Sequence, residues 1–194
     1  MKFTKIPTNT FKNIVMNAGV VLKNFDASTG TYEDDDILGA TSGGVNFTAV
    51  PSFTDYGEDI DNCPKNMKEL KKLESWEVKL SGSFVTVSLE MAKLLAAAAD
   101  SDASSNKITP RNEISSADFN DLWLVCDYSD QNGAKNGGLV AVKVLNALST
   151  GGFAIQSTDK AKGKFAFEFT GHVSMDAQDV VPFEVYVKAG TAET

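Results

Sequence analysis

Alternation of apolar and polar residues is the feature that most constrains the fold of this chain. Trp76, Val78 and Leu80 are apolar, and the residues between them are polar. The same period of two recurs in residues 164–170, where Phe occupies every second position. This period places the apolar side chains on one face of an extended strand. We therefore expect an antiparallel sheet that buries one face and leaves the other in water.

Other apolar segments rich in β-branched and aromatic residues are separated by Gly, Asn, Asp and Ser, which favour turns. They predict strands in residues 11–25, 45–53, 122–128, 139–148 and 180–187, with a turn in residues 129–138. The in-phase positions of these strands and of one helix predict a buried core, which comprises Trp76, Val78, Leu80, Phe84, Leu94, Phe165, Phe167, Phe169, Phe183 and Val185.

Residues 89–99 predict the one helix, because they are rich in Leu, Met and Ala and follow Ser88, a good N-cap residue. The chain has 194 residues, a length typical of one domain. We find neither a repeat nor a linker. The prediction is a single domain over residues 1–194, mainly β, formed as an antiparallel β-sandwich or barrel with one flanking α-helix.

Charge and hydropathy exclude several classes of protein. The chain has 18 Lys and Arg against 26 Asp and Glu, a net charge of −8, which disfavours tight binding of nucleic acid phosphates. No apolar run approaches the ~18–20 residues of a membrane span, so we expect no membrane insertion. Residues 1–7 lack the apolar segment of a secretory leader, and we expect none there.

Residues that carry chemistry are sparse. Cys63 and Cys126 do not make a disulfide framework, and we interpret them as reduced thiols of a protein made in a cytosol. His172 is the only histidine, which leaves a single imidazole for acid–base or metal chemistry. We therefore expect no catalytic residue, no metal, no cofactor and no enzymatic activity.

The connection between two predicted strands, residues 54–75, is unusually long. Long connections inside compact domains are uncommon and often functional. Met67, Leu70 and Leu73 recur in it every three residues, which permits either a short helix or an extended arm. These apolar side chains lie among lysines and add little to a compact core. We expect a neighbouring copy of the protein to bury them.

Four stretches of the chain together resemble the major tail tube proteins of long-tailed, siphovirus-type bacteriophages. The first runs from Asn17 to Gly30, and the second is the Gly-Ala-Thr-x-Gly-Gly element at residues 39–44. The third is residues 67–74 leading into the Trp76 strand. The fourth is residues 167–172 followed by residues 181–186. None is diagnostic alone; their order and spacing carry the resemblance.

The resemblance implies a structural virion protein whose copies form hexameric rings that stack into a tail tube for genome delivery. It implies that residues 54–75 act as an inter-subunit arm, and that assembly occurs in the host cytoplasm before the protein resides in the virion tail. The implied partners are other copies of the chain and the tape measure, tail terminator and distal tail proteins. The expected subunit interface comprises Gly39, Ala40, Thr41, Ser42, Gly43, Gly44, Met67, Leu70 and Leu73.

The resemblance also implies that genomic DNA passes through the lumen without specific binding. An acidic chain suits such a conduit, because it repels phosphates within a Debye length of about 8 Å. Tubes of contractile tails and of type VI secretion are similar in fold, so a subunit of such a machine is an alternative. A less favoured alternative is a β-sandwich adhesin or ligand-binding module, which would use Trp76 or Trp123 as an exposed aromatic platform.

Overall fold

A computed structural model describes residues 14–128 and 138–188. The described residues form ten β-strands, one α-helix and three short 3₁₀ turns. The strands are β1 (Val15–Leu22), β2 (Thr41–Asp55), β3 (Lys71–Phe84), β4 (Ala99–Asp102), β5 (Lys107–Pro110), β6 (Asn120–Tyr128), β7 (Leu139–Ser149), β8 (Ala154–Gln156), β9 (Lys164–Thr170) and β10 (Phe183–Lys188). The helix α1 spans Leu89–Leu95, and the 3₁₀ turns span Asp34–Asp36, Lys68–Leu70 and Ser116–Asp118.

The larger strands form two antiparallel sheets that share β7. The first sheet has the order β1-β6-β7-β10, and the second has β7-β9-β3-β2 with β8 paired to β9. The early part of β7 pairs with β10, whereas Leu148 and Ser149 at its end pair with β9. Asn146, between the two parts, has a φ of 47°, a left-handed conformation that redirects the strand. The predicted antiparallel sandwich with one flanking helix is confirmed.

The inward faces of the two sheets and one face of α1 bury a common core. The predicted core residues that are buried in it are Val78, Leu80, Phe84, Phe165, Phe167 and Phe169. The rings of Phe84 and Phe167 stack with their centroids 4.3 Å apart. Trp76, Leu94 and Phe183 pack against this core but are only half-buried. The period of two therefore predicts the inward face of β3 and β9 correctly.

Val185 is not a core residue, contrary to the prediction. Its side chain is 51% exposed, although alternation along β10 places it on the same face as Phe183. Phe183 contacts Phe47 and Trp76 of the second sheet, with ring centroids 5.7 and 5.5 Å away. The second sheet does not extend over Val185. Alternation shows which face a side chain occupies, but not whether another layer covers that face.

The helix begins where predicted and ends earlier. The Ser88 hydroxyl accepts the backbone N–H of Met91 at 3.1 Å, which caps the first turn. The helix ends at Leu95, because Ala97 has a φ of 60° and a right-handed helix cannot continue through that conformation. Ala99 instead begins β4, which pairs with β5. Only Ala99 of the predicted helix thus belongs to a strand, and residues 96–98 form the turn before it.

Some predictions fall outside the described residues. Residues 129–137 of the predicted turn at residues 129–138 are among them, and only Gly138 is described. The flanking strands β6 and β7 pair antiparallel, as a hairpin requires. The absence of a leader in residues 1–7 and the two ends of the predicted 1–194 domain also lie outside. Within the described parts of the chain, no helix is long and apolar enough to cross a bilayer.

Candidate self-assembly surface

The second sheet carries a two-stranded extension, which we call the arm (residues 50–77). β3 pairs with β9 only through residues 79–84. β2 and β3 continue to pair with each other through residues 50–55 and 71–77. Among the described residues, no third strand joins this stretch. The arm is therefore a ribbon that extends from the sandwich, and only residues 56–70 lie outside its strands.

The structure refines the predicted connection at residues 54–75. The sequence permits a short helix or an extended arm for residues 67–75, and the structure contains some of each. A 3₁₀ turn at Lys68–Leu70 is followed by extended chain from Lys71. Ser52 pairs with Ser75 and Phe53 with Leu73, which leaves one extra residue in β3. This β-bulge interrupts the alternation of β3, so a strict period of two does not predict the part of the strand before Trp76.

The tip of the arm is held by its own hydrogen bonds. The Asp55 carboxylate accepts the backbone N–H of Gly57 at 2.9 Å and that of Asn66 at 3.0 Å. The backbone N–H of Tyr56 donates to the carbonyl oxygen of Leu70 at 3.0 Å. These bonds join the two ends of the tip across residues 55–70. The arm is thus presented to solvent as a formed element.

The arm exposes large apolar side chains. Phe53 is 52% exposed and Leu73, directly opposite it, is 43% exposed. The Lys71 ammonium lies 5.3 Å from the centroid of the Phe53 ring, a cation–π contact. The other exposed apolar side chains of the arm are Val50, Tyr56, Ile60 and Met67. Phe53 and Leu73 are neighbours on one face of the arm, and adjacent exposed apolar side chains of this kind are typical of an interaction site.

Two of the three arm residues predicted at the interface are exposed. Met67 is 38% exposed and Leu73 is 43% exposed. Leu70 is half-buried and is used within the tip. A Cβ atom at Gly57 would lie 3.1 Å from both Leu70 Cδ1 and Cys63 Sγ. Leu70 therefore packs under the tip, and Met67 and Leu73 are the members of this set available to another molecule.

The small-residue stretch at residues 39–44 divides into two parts. Gly39 faces the inside of the subunit, because a Cβ atom there would lie 2.8 Å from Thr86 Oγ1. Ala40 follows and binds the same hydroxyl through its backbone N–H at 3.0 Å. After Thr41 the register with β3 shifts, and Ser42, Gly43 and Gly44 form a bulge on β2. Ala40 and Gly43 are exposed, whereas the other residues of the stretch are half-buried, and residues 41–44 belong to the edge strand β2.

The bulge depends on glycine. Gly43 and Gly44 have φ values of 86° and 87°, a region that side chains with a Cβ rarely adopt. Nothing lies within 4 Å of a Cβ atom built on either residue. The bulge therefore follows from backbone conformation and not from a close neighbour. Bulges on edge strands shape where another strand can pair.

A second exposed apolar surface lies on β10, and sequence reasoning missed it. Val185 is 51%, Tyr186 is 37% and Val187 is 65% exposed. β10 pairs with β7 on one side, and among the described strands none lies on its other side. No local signal in the sequence marks this surface, because Phe183 and Val185 follow the same alternation. Alternation alone assigned Val185 to the core.

The histidine and the cysteine of β6, the candidate reactive side chains, lie in structural surroundings. The His172 ring packs edge-on against Phe119 with centroids 5.3 Å apart, and its Nδ1 lies 3.2 Å from the carbonyl oxygen of Asn146. Burial raises the pKa of the Cys126 thiol, as does the nearby charge of Asp127. In the described parts of the chain, no group of three His, Cys, Asp or Glu side chains is arranged to hold a metal ion.

The two tryptophans are not free platforms. Trp123 is 7% exposed and packs between Phe25 and Tyr186, with ring centroids 5.5 and 5.4 Å away. Trp76 is half-buried and lies edge-on against Phe183. Neither indole is presented as the exposed stacking surface that a carbohydrate-binding module would use. This geometry disfavours the adhesin alternative.

A scan against models of protein families finds no match to this chain, and a search among curated proteins finds none either.

Proposed function

We propose that this protein is a structural subunit that self-assembles into hexameric rings, which stack to form the tail tube of a long-tailed bacteriophage. The tube serves as a conduit for genome delivery, and the acidic chain lets DNA pass without specific binding. The protein resides in the virion tail after assembly in the host cytoplasm. Tape measure, tail terminator and distal tail proteins are its further proposed partners.

The arm is the observation that supports this proposal. Within the described structure, its stretches of β2 and β3 pair only with each other, and they expose Phe53 and Leu73. Apolar surface gains about 25 cal/mol per Å² when it leaves water, so a second molecule that covers the arm is favoured. A subunit that carries both an arm and a separate receiving surface binds head to tail. Such contacts generate rings where the rotation that relates neighbouring copies closes on itself, and filaments where it does not.

Electron microscopy of the purified chain tests the proposal. We expect concentrated protein to form rings or hollow tubes in negative stain, and we expect phage particles that carry the chain to hold it along the tail. A chain that stays monomeric over the whole concentration range and is missing from particles would overturn the proposal.

A matched pair of variants links assembly to the arm. Leu73→Asp places a charge in the exposed apolar surface of the arm, and we expect it to prevent tubes while leaving the folded monomer intact. Ile114→Asp is the control, because Ile114 is 58% exposed and lies in the connection between β5 and the 3₁₀ turn at Ser116–Asp118, outside both strands of the arm. Tubes from the control but not from Leu73→Asp are the expected result in sedimentation and negative stain.

A further inference from the structure

β10 contacts the second sheet through its first residue. Phe183, the first residue of β10, packs against Phe47 of β2 and Trp76 of β3, with centroids 5.7 and 5.5 Å away. This contact brings the inward face of β10 against the inward face of the β2–β3 pair. It is a small interface between two sheets within one chain, and it ends at Phe183.

Both partners of that contact continue beyond it, and the described residues leave those continuations about half exposed. On β10, Val185 and Val187 share the face of Phe183 by alternation and are 51% and 65% exposed. On the arm, Phe53 shares the face of Phe47, and Leu73 lies opposite Phe53. These two are 52% and 43% exposed. Their exposure shows that the two apolar stretches do not cover each other within the chain.

We propose that the arm of one copy packs its Phe53 and Leu73 face against the Val185 and Val187 face of β10 in a second copy. This proposal rests on the proposed function, since it names the surface that receives the arm. The occupant is a second copy because these same two faces already pack together at Phe183 within one chain. The new contact continues that apolar interface, with Phe53 and Leu73 of one copy against two valines of the other.

The geometry of the contact suits a repeating assembly. The donor surface lies on the second sheet and the receiving surface on the first, so the two patches are different. Every copy thus keeps a free arm when its β10 face is filled, and a free β10 face when its arm is bound. Such a heterologous contact adds copies without limit unless the rotation closes a ring.

Disulfide cross-linking between two kinds of copy tests the contact. The starting variant carries Cys63→Ser and Cys126→Ala and must still assemble. One preparation adds Leu73→Cys and the other adds Val185→Cys, and the two are mixed, assembled and oxidised mildly. Thiols held together in a contact behave as if at millimolar concentration. We expect the mixed dimer to form about tenfold or more faster than in the control mixture.

The control mixture replaces Val185→Cys with Ile114→Cys, whose side chain is comparably exposed in the wild-type chain. The test also measures how fast a thiol reagent modifies the Val185→Cys variant as a monomer and in assemblies. Rapid modification of the monomer and protection in the assembly are expected. Protection already in the monomer would mean that another segment of the same chain covers β10, which overturns the proposal.

The outcomes separate this contact from the proposed function. Tubes that form without preferential cross-linking overturn the contact and leave the tail tube proposal standing. Preferential cross-linking with small oligomers only, and no rings or tubes at any concentration, supports the contact and counts against the tail tube. If neither assembly nor cross-linking occurs at any concentration, both proposals are wrong.

Discussion

Two leucines of β3 show how the sandwich differs from the arm. Leu80 is fully buried, whereas Leu73 on the same strand is 43% exposed. Both lie opposite a β2 residue in an antiparallel ladder, Leu80 opposite Phe47 and Leu73 opposite Phe53. The pairing with β2 is therefore the same, and the difference is that Leu80 also pairs with Phe169 of β9 and lies in the core. A hydrogen-bonded ladder can extend beyond its core, and its apolar side chains then remain available for another molecule.

The largest contrast is expected between a phenylalanine of the core and one of the arm. Phe169 is fully buried, so Phe169→Ala removes buried apolar surface and leaves a cavity, at a cost of about 3–5 kcal/mol. Phe53→Ala removes a side chain that is half exposed, and we expect a cost below about 1 kcal/mol. Denaturant unfolding of the two monomers measures the difference. Equal losses would show that the arm is covered within the chain.

A pair of aspartates extends the comparison to polar contacts. The buried Asp118 carboxylate accepts two bonds from Arg111 Nη2, at 2.6 and 2.8 Å, and the backbone N–H of Ser115 at 2.8 Å. Asp118→Ala removes the partner of Arg111 Nη2, although Arg111 Nε still lies 3.1 Å from Asp100 Oδ1. We expect a loss of about 2 kcal/mol in the free energy of unfolding. Asp55→Ala removes the bonds that hold the arm tip.

For Asp55→Ala we expect global unfolding to change by less than about 0.5 kcal/mol, because the arm tip lies outside the sandwich core. Hydrogen exchange should instead report faster opening of the Gly57 and Asn66 amides, whose N–H groups bind this carboxylate. The result that contradicts the comparison is a large loss of global stability in Asp55→Ala with none in Asp118→Ala.

Acid should weaken the folded subunit. The backbone N–H of Ser115, the Arg111 guanidinium and the Ser115 hydroxyl lower the pKa of Asp118, and hydrogen bonds from Ser28 and Thr29 lower the pKa of Asp26 to about 2. Such lowered pKa values favour the folded state above the unfolded pKa near 3.9. This contribution is lost as the pH falls from about 4 towards 2. We expect the melting temperature to fall across that window.

Asp118→Asn is the variant that tests the origin of this pH dependence. It removes the titrating carboxylate, so its melting temperature should lie below that of the wild type at neutral pH and approach it as the pH falls below about 4. A constant difference between the two proteins across this range would show that Asp118 does not contribute to the acid sensitivity.

The fold was largely predictable from the sequence because alternation is a local signal. Residues 76–80 and 164–170 carry it without interruption, and both lie on inward faces of the second sheet. The ends of elements were less predictable. The helix ends before Ala97, although alanine itself favours a helix. An alanine with a left-handed φ is stabilised by its surroundings and not by local preference.

The candidate surface was predictable only in part. Met67 and Leu73 stood out because apolar residues among lysines are unusual in a long connection. The β10 face did not, because Val185 and Phe183 have the same local pattern and differ only in what lies above them. Whether a face is covered depends on where the opposite sheet ends, and that is a property of the tertiary structure.

We expect the part of the arm beyond Ser52 and Ser75 to serve contacts between copies and not to be needed for the fold of one copy. Replacing residues 53–74 with Asn-Gly joins Ser52 to Ser75, a pair already opposite each other, through a turn suited to a two-residue hairpin. The control replaces residues 103–106 with Asn-Gly and shortens the β4–β5 hairpin in the same way, since Asp102 and Lys107 are paired.

Sedimentation and negative-stain microscopy of these two variants beside the wild type test the claim most directly. We expect the arm-deleted chain to stay a folded monomer, within about 1 kcal/mol of the wild type in stability because loop length contributes little. The control and the wild type should form tubes. Tubes from the arm-deleted chain, or its failure to fold, would contradict the account.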